Sequence, residues 1–488
     1  MDAQKIEVTE ETLDPQDWDA MRALGHRMLD EMFDHLMTLR DEPAWRPMPD
    51  ATRARFKSPA PQQGQPIEQI YDEFKRDILP YRQGTTHPRF WGWVIGTGTP
   101  FGMLAEMLAA AMNSNLGGGD HAANEVEKQV LNWFKDVMGF PASASGLLVS
   151  GGSMANFVGL AVARNTMAEH AVRKERIQAT PRRMALYASI EAHASNKKSA
   201  ELLGIGGEGL RSIPVNADYQ IDLDALKAAI TADRAAGLYP FCVIGNAGTV
   251  NTGAFDDLNA LADLCAQEKL WLHVDGAFGA LAKLAPDNAH LADGLERADS
   301  LAFDLHKWMY MPYEIGCTLV RREEDHVRTF AANPEYLAHM PRGLAGGSNW
   351  FTDYGLQLSR SFRALKAWMS IKEHGLEKYG RLIQQNMDQA RYLAELVRAA
   401  PELELCAPFP LNIVCFRYAT PGKTPQELNA LNQEILMRLH EEGIALPSYT
   451  TLNGVWAIRA AITNHRSRRE DFELLAREVV RLGNELVG

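Results

Sequence analysis

From Leu147 onward the chain repeats one rhythm: a short apolar run, a turn rich in glycine or polar residues, then a longer stretch with apolar residues at helical spacing. The strand-like runs are Leu147–Val149, Ala185–Ser189, Arg211–Val215, Phe241–Ile244, Trp271–Val274, Leu301–Phe303 and Cys317–Val320, and the helical stretches between them include Leu223–Ala235 and Leu258–Glu268. Apolar strands that alternate with helices predict an α/β fold with a mostly parallel sheet of about seven strands, covered on both faces. Ligands of such sheets gather beyond the carboxyl ends of the strands.

The pattern differs on either side of this block. Trp18, Met21, Leu24, Met28, Met32 and Leu36 recur at helical spacing, with Asp14-Pro15 placed to cap and start the helix. The apolar stripe packs on its own subunit or on a second one. Residues 41–66 are rich in proline and polar groups and read as a connector. A helix follows over Phe101–Met112, and Asn124 is placed to cap the next, whose buried face is Val126, Val130, Leu131, Phe134 and Val137. Beyond about Arg363 a long helix leads into a smaller α+β unit with strand-like Leu411–Arg417, a helix over Pro425–Glu442, strand-like Val455–Ile462 and a last helix from Arg469. The expected organisation is a helical segment (1–85), a large domain (86–370) and a small domain (371–488).

Composition narrows the function. A net charge of −12 over 488 residues, with no basic block, disfavours nucleic acid or an anionic membrane as partner. The most apolar helical window, Phe101–Met112, contains Glu106 and is too short to span a bilayer. The amino terminus is acidic and lacks the basic and apolar regions of a signal peptide. The 5 cysteines are scattered and never form a CxxC pair, which points to reduced thiols in a cytoplasm and to no metal site.

Candidate chemistry sits at the predicted strand ends. Lys307, in FDLHKW, follows an apolar strand and lies between His306 and Trp308. It either snorkels at the strand end or is a partly desolvated amine able to bond an aldehyde. SGGSMAN, residues 150–156, is a strand-to-helix turn whose backbone N–H groups, with Gly152 and Ser153, can hold an anion, though such turns need glycine in any case. Asp275 ends the apolar strand WLHVD and is costly to bury there unless it meets donors or a cation. His193 follows the strand ending at Ser189 and is either a helix-start residue or part of a site. Phe90, Trp91 and Trp93 are core or pocket aromatics, and the Gly-Thr-Gly-Thr turn at residues 96–99 leaves room for a ligand. A phosphate cradle, a buried carboxylate and a lysine on one sheet match the needs of pyridoxal 5'-phosphate.

With these motifs in this order (HPRF, SGGSMAN, EAHAS, HVDGAFG, FDLHKW), the chain resembles the pyridoxal-phosphate-dependent group II amino acid decarboxylases over roughly residues 66–480. The resemblance implies an aspartate-aminotransferase-like (fold type I) homodimer with active sites shared between subunits and an amino-terminal segment packed on the partner. It implies a Schiff base on Lys307, Asp275 at the pyridine nitrogen, His193 stacked on the ring, Thr249 beside it, His306 with Gly152 and Ser153 at the phosphate, and Tyr336 in a loop that returns a proton to the substrate's α-carbon. Relatives that form aldehydes often carry phenylalanine at that loop position, so Tyr336 favours plain decarboxylation. One departure stands out: animal aromatic decarboxylases have asparagine and proline before the histidine-lysine pair, and this chain has Asp304 and Leu305. The aromatics favour an aromatic L-amino acid as substrate. The alternatives are an acidic amino acid, for which Arg459 matches an arginine of the glutamate branch, or an aldehyde-forming reaction on the same fold.

Overall fold

The computed structural model describes residues 11–179, 181–332, 340–347 and 350–488. The chain forms two compact units, Met1–Glu42 with Arg46–Arg82, and Pro43–Trp45 with Gln83–Gly488.

In the first unit, helix α1 spans Trp18–Thr38. It begins three residues later than the Asp14-Pro15 pair predicts, because Asp17 is the residue whose carboxylate accepts from Asp19 N and Ala20 N. Of its apolar stripe only Leu24 is buried, while Trp18 is 61% and Met28 40% exposed. The proline-rich connector contains a short helix, Asp50–Arg55.

The second unit holds two sheets. The strands in chain order are β1 (Phe90–Trp91), β2 (Ser145–Val149), β3 (Met184–Ser189), β4 (Leu210–Ile213), β5 (Tyr239–Asn246), β6 (Trp271–Asp275), β7 (Ser300–Asp304), β8 (Gly316–Val320), β9 (Leu403–Leu405), β10 (Ile413–Tyr418), β11 (Leu446–Leu452) and β12 (Val455–Ala461). The large sheet has 7 strands in the order β2-β8-β7-β6-β5-β3-β4. All its pairings are parallel except those of β8, which runs against both β2 and β7. The small sheet has 5 strands in the order β1-β11-β12-β10-β9. Strands such as β2, β3, β6, β7 and β8 are buried at every position, as expected of a sheet with helices on both faces.

The helices fall close to the predicted places. Pro100–Met112 is capped by the Thr99 hydroxyl, and Leu223–Ala235 and Leu258–Glu268 have the bounds their periodicity predicts. Asn124 is not a cap: the helix begins at Ala122, and the Asn124 amide donates instead to Gly119 O at 2.7 Å. No helix among the described residues is long and apolar enough to cross a membrane.

Candidate active site

Strands β2, β7, β6, β5 and β3 point the same way, and the residue that follows or ends each one converges on a common place. Asp275, the last residue of β6, is 5% exposed. Its Oδ2 accepts from the side-chain amides of Asn156 and Asn196, both at 2.9 Å, and its Oδ1 from Ala277 N at 3.3 Å. Amide donors offset the cost of burying the carboxylate.

Behind this carboxylate runs an ordered chain of donors. Asn156 Nδ2 donates to Asp275, so the amide oxygen Oδ1 faces His273 and accepts from its Nε2 at 3.0 Å. In the neutral ring Nδ1 then accepts from the Ser300 hydroxyl at 2.8 Å, and Ser300 Oγ accepts in turn from Trp271 Nε1, also at 2.8 Å. Burial holds His273 below the usual histidine range, which keeps it neutral.

His193 is the N-cap of helix Ala194–Leu202, with Nδ1 accepting from Ser195 N at 3.2 Å. Burial lowers its pKa, and the charge of nearby Lys307 acts in the same direction while Asp275 opposes it. Thr249, 2% exposed, accepts from Ala254 N at 3.1 Å and closes the loop after β5.

Lys307 projects from a short helix, Leu305–Trp308, that follows β7. Gly96 N donates to His306 O at 3.1 Å, and a Cβ on Gly96 would come within 2.2 Å of Lys307 O. The glycine turn at 96–99, expected to leave room for a ligand, instead lets the chain support the backbone of the lysine. His306 is buried, its Nδ1 accepts from Ile315 N at 3.1 Å, and its ring lies 4.4 Å from that of Tyr313. Its neutral form therefore carries the proton on Nε2, 3.7 Å from Asp304 Oδ2.

Two cavities share His193, Ala277 and Lys307. One, of about 320 Å³, is lined by the turn Ser150–Ser153, Ser195, Asp304, His306 and Tyr313. The other, of about 200 Å³, is lined by Trp93, Val94, Thr249, Val250, Asp275 and Phe278. Larger hollows of about 620 and 640 Å³ lie elsewhere, but neither joins a lysine to a buried carboxylate and a histidine.

The donor set fits pyridoxal phosphate. The first cavity offers the amino end of the 16-residue helix Gly152–Met167, the Ser150, Ser153 and Ser195 hydroxyls and His306, all suited to a phosphate. A Cβ on Gly152 would lie 2.8 Å from Asp304 Oδ2, so the cradle depends on glycine there. Lys307 stands between the two cavities, with Asp275 in the second. Asp304 is the discordant group, a carboxylate 1% exposed in the wall of the phosphate cavity.

Not every expected residue reaches the site. Trp91 is fully buried in the small-sheet core, stacked on Phe472 at 4.8 Å and donating from Nε1 to Ser467 Oγ at 3.0 Å. Phe90 packs with Ala44 and Leu446. Both are core residues because pairing of β1 with β11 commits them to the small sheet; Trp93, where φ is +49°, turns out of that strand into the second cavity. Arg459, 3% exposed, gives Nε to Asn251 O at 3.2 Å and Nη1 to Trp93 O at 2.8 Å and Ser448 Oγ at 3.1 Å, with Nη2 bonded to Val250 O. Four of its N–H groups are thus engaged, two of them with the wall residues Trp93 and Val250, and it is absent from the lining of either cavity. Tyr336 lies outside the described residues. Asn156 and Asn196 escaped the sequence reading, although Asn156 stands one helical turn after Gly152 and so shares its face.

The family model for the pyridoxal-dependent decarboxylase conserved domain matches residues 49–419. The chain belongs to the pyridoxal-dependent decarboxylase family. It is a carboxy-lyase of the fold type I architecture with pyridoxal phosphate as its cofactor. The decarboxylase is 34% identical to the aromatic-L-amino-acid decarboxylase of Bacillus atrophaeus, covering 96% of each chain. It is 29% identical to a phenylacetaldehyde synthase of Petunia hybrida, over 93% of this chain and 92% of the relative. The crystal structure of Oryza sativa TDC with PLP and tryptamine superposes on it with a TM-score of 0.90 at 26% identity, over 98% of this chain and all of that one.

Proposed function

We propose that this decarboxylase converts an aromatic L-amino acid to the corresponding amine and CO2. The observation that carries the substrate class is the second cavity: Trp93, Val94, Val250 and Phe278 give it an apolar wall, and Lys307 is the one Lys or Arg among its described lining residues. An acidic substrate would need a free guanidinium there, and Arg459 is engaged with carbonyls. The names of the Bacillus and Oryza relatives support the same class.

Roles follow from position. Lys307 is the amine that would hold the cofactor through its aldehyde. When bound, pyridoxal phosphate supplies an electron sink for the pair left by departing CO2. Asp275, held by two amides, remains an acceptor for the protonated pyridine nitrogen. His193, neutral through burial, and Thr249 line the second cavity and would border the cofactor ring there. The helix start at Gly152 and Ser153, with His306 Nε2, receives the phosphate. Tyr336 or His193 delivers one proton to the α-carbon, so amino acid plus proton yields amine plus CO2.

The exposed stripe Trp18, Met21 and Met28 supports a homodimer in which residues 1–85 pack on the partner and the active sites are shared, beside a large domain (86–370) and a small one (371–488). Five unpaired cysteines support a cytoplasmic location.

The test is a screen of the proteinogenic amino acids, DOPA and 5-hydroxytryptophan for amine, CO2, ammonia and peroxide. Amine from an aromatic substrate without peroxide is expected. Aldehyde with stoichiometric ammonia and peroxide would establish the reaction named for the Petunia relative instead. Lys307→Ala should lose both the visible absorbance of the bonded cofactor and turnover; an active variant would end the assignment.

A further inference from the structure

Asp304 closes β7 with both carboxylate oxygens buried and neither accepting a well-directed hydrogen bond. A buried carboxylate left in that state is costly, so some cation must answer it. The Nζ of Lys307 lies 3.1 Å from Oδ2, at ion-pair distance but off the hydrogen-bond direction. The two residues are three apart, so their side chains share one face of the turn.

The carboxylate fills the space that two glycines leave open: a Cβ on Gly316 would come within 2.6 Å of Oδ1, and one on Gly152 within 2.8 Å of Oδ2. His306 Nε2 stands farther off at 3.7 Å, and its ring is fixed by the Ile315 N contact. Lys307, with 20% of its side chain exposed, is the movable partner.

We propose that Asp304 is the resting partner of Lys307: it holds the ammonium whenever the lysine is not bonded to the cofactor. This rests on the Lys307 role proposed above. Bonding of Nζ to an aldehyde forms one C=N bond and releases one water and, where the bonded nitrogen is neutral, one proton. The bonded nitrogen then keeps at most one N–H, and the three-donor ammonium that faced Asp304 is lost. When a substrate amine takes over the bond, Nζ leaves as an amine, regains a proton and returns to Asp304. The carboxylate therefore favours lysine release and loosens cofactor binding, a positioning role for which an asparagine would be a weaker substitute.

The experiment measures equilibrium dissociation constants of pyridoxal phosphate and of pyridoxal, which lacks the phosphate, by absorbance in the wild type and in Asp304→Asn. Both should tighten in the variant by about tenfold, the scale of one charged contact. Tightening of pyridoxal phosphate alone would mean that the carboxylate acts on the phosphate and would overturn the proposal, as would unchanged or weaker binding of both. A second measurement avoids the cofactor: a double-mutant cycle of Asp304→Asn and Lys307→Met on the melting of cofactor-free protein. A coupling between the two is expected, and strict additivity would overturn the pair. Failure of the wild type to capture pyridoxal phosphate would sink the proposed function, while the melting cycle would still read the ion pair.

Discussion

Asn156 faces two ways at once toward Asp275: its Nδ2 donates to Asp275 Oδ2 at 2.9 Å while its Oδ1 accepts from His273 Nε2 at 3.0 Å. The asparagine thus passes the polarity of a buried neutral imidazole to the carboxylate. Asn156→Ala leaves the His273 N–H without its partner and Asp275 with one amide fewer. The expected cost is about 1–3 kcal/mol of stability, with a fall in kcat larger than the change in KM. Thermal melting and steady-state kinetics check this, and an unchanged kcat would show that Asn196 alone suffices.

Arg459 ties two wall residues of the second cavity together through the carbonyls of Trp93 and Val250, and holds the adjoining Asn251 carbonyl as well. Lysine cannot reproduce a planar fork of donors. Arg459→Lys should raise KM for an aromatic amino acid about tenfold, equivalent to about 1.4 kcal/mol, with a smaller effect on kcat. If it instead removed turnover of glutamate or aspartate that the wild type supports, the guanidinium would be a substrate ligand.

Acid should weaken the fold through its buried histidines. Burial pushes His326 down to about 3 and His465 to about 4 from an ordinary 6.5. Below pH 6.5 the unfolded chain takes up protons that the folded chain refuses, so stability is full above that pH and declines toward each folded value. Each ring withdraws about 1.4 kcal/mol per pH unit in that window. Melting temperatures should be flat just above neutrality and fall from pH 6 to 5, with a shallower fall in His326→Phe; the same slope in that variant would place the titration elsewhere.

The large sheet was legible because its central strands are mostly apolar, and the seven predicted runs overlap its seven strands, including the half-polar edge strand β4. Lys307, Asp275 and His193 were legible for a related reason, since charged or titratable residues at the ends of such strands have few structural uses. Phe90 and Trp91 misled because an aromatic run looks the same whether it faces a ligand or a second sheet. That choice is made by pairing of β1 with β11, more than 350 residues along the chain by the Phe90 and Leu446 register. Helix starts were displaced because Asp14 and Asn124 are good caps by type, while Asp17 and His121 hold the actual positions. The amides on Asp275 were hidden because asparagine in a helix carries no sign of what it meets across the fold.

The register of β7 and β8 sets Asp304 opposite Gly316, and a Cβ at that glycine would also fall 2.6 Å from Gly151. A slip of one residue would bring Ile315 or Cys317 to that place and push a side chain into the glycine turn. The antiparallel strand is therefore a gauge of its own assembly: only a chain whose β7 and β8 have paired in this register has a cradle open to a phosphate. Cofactor capture during folding would then act as proofreading, locking in correctly paired sheets and leaving slipped ones empty.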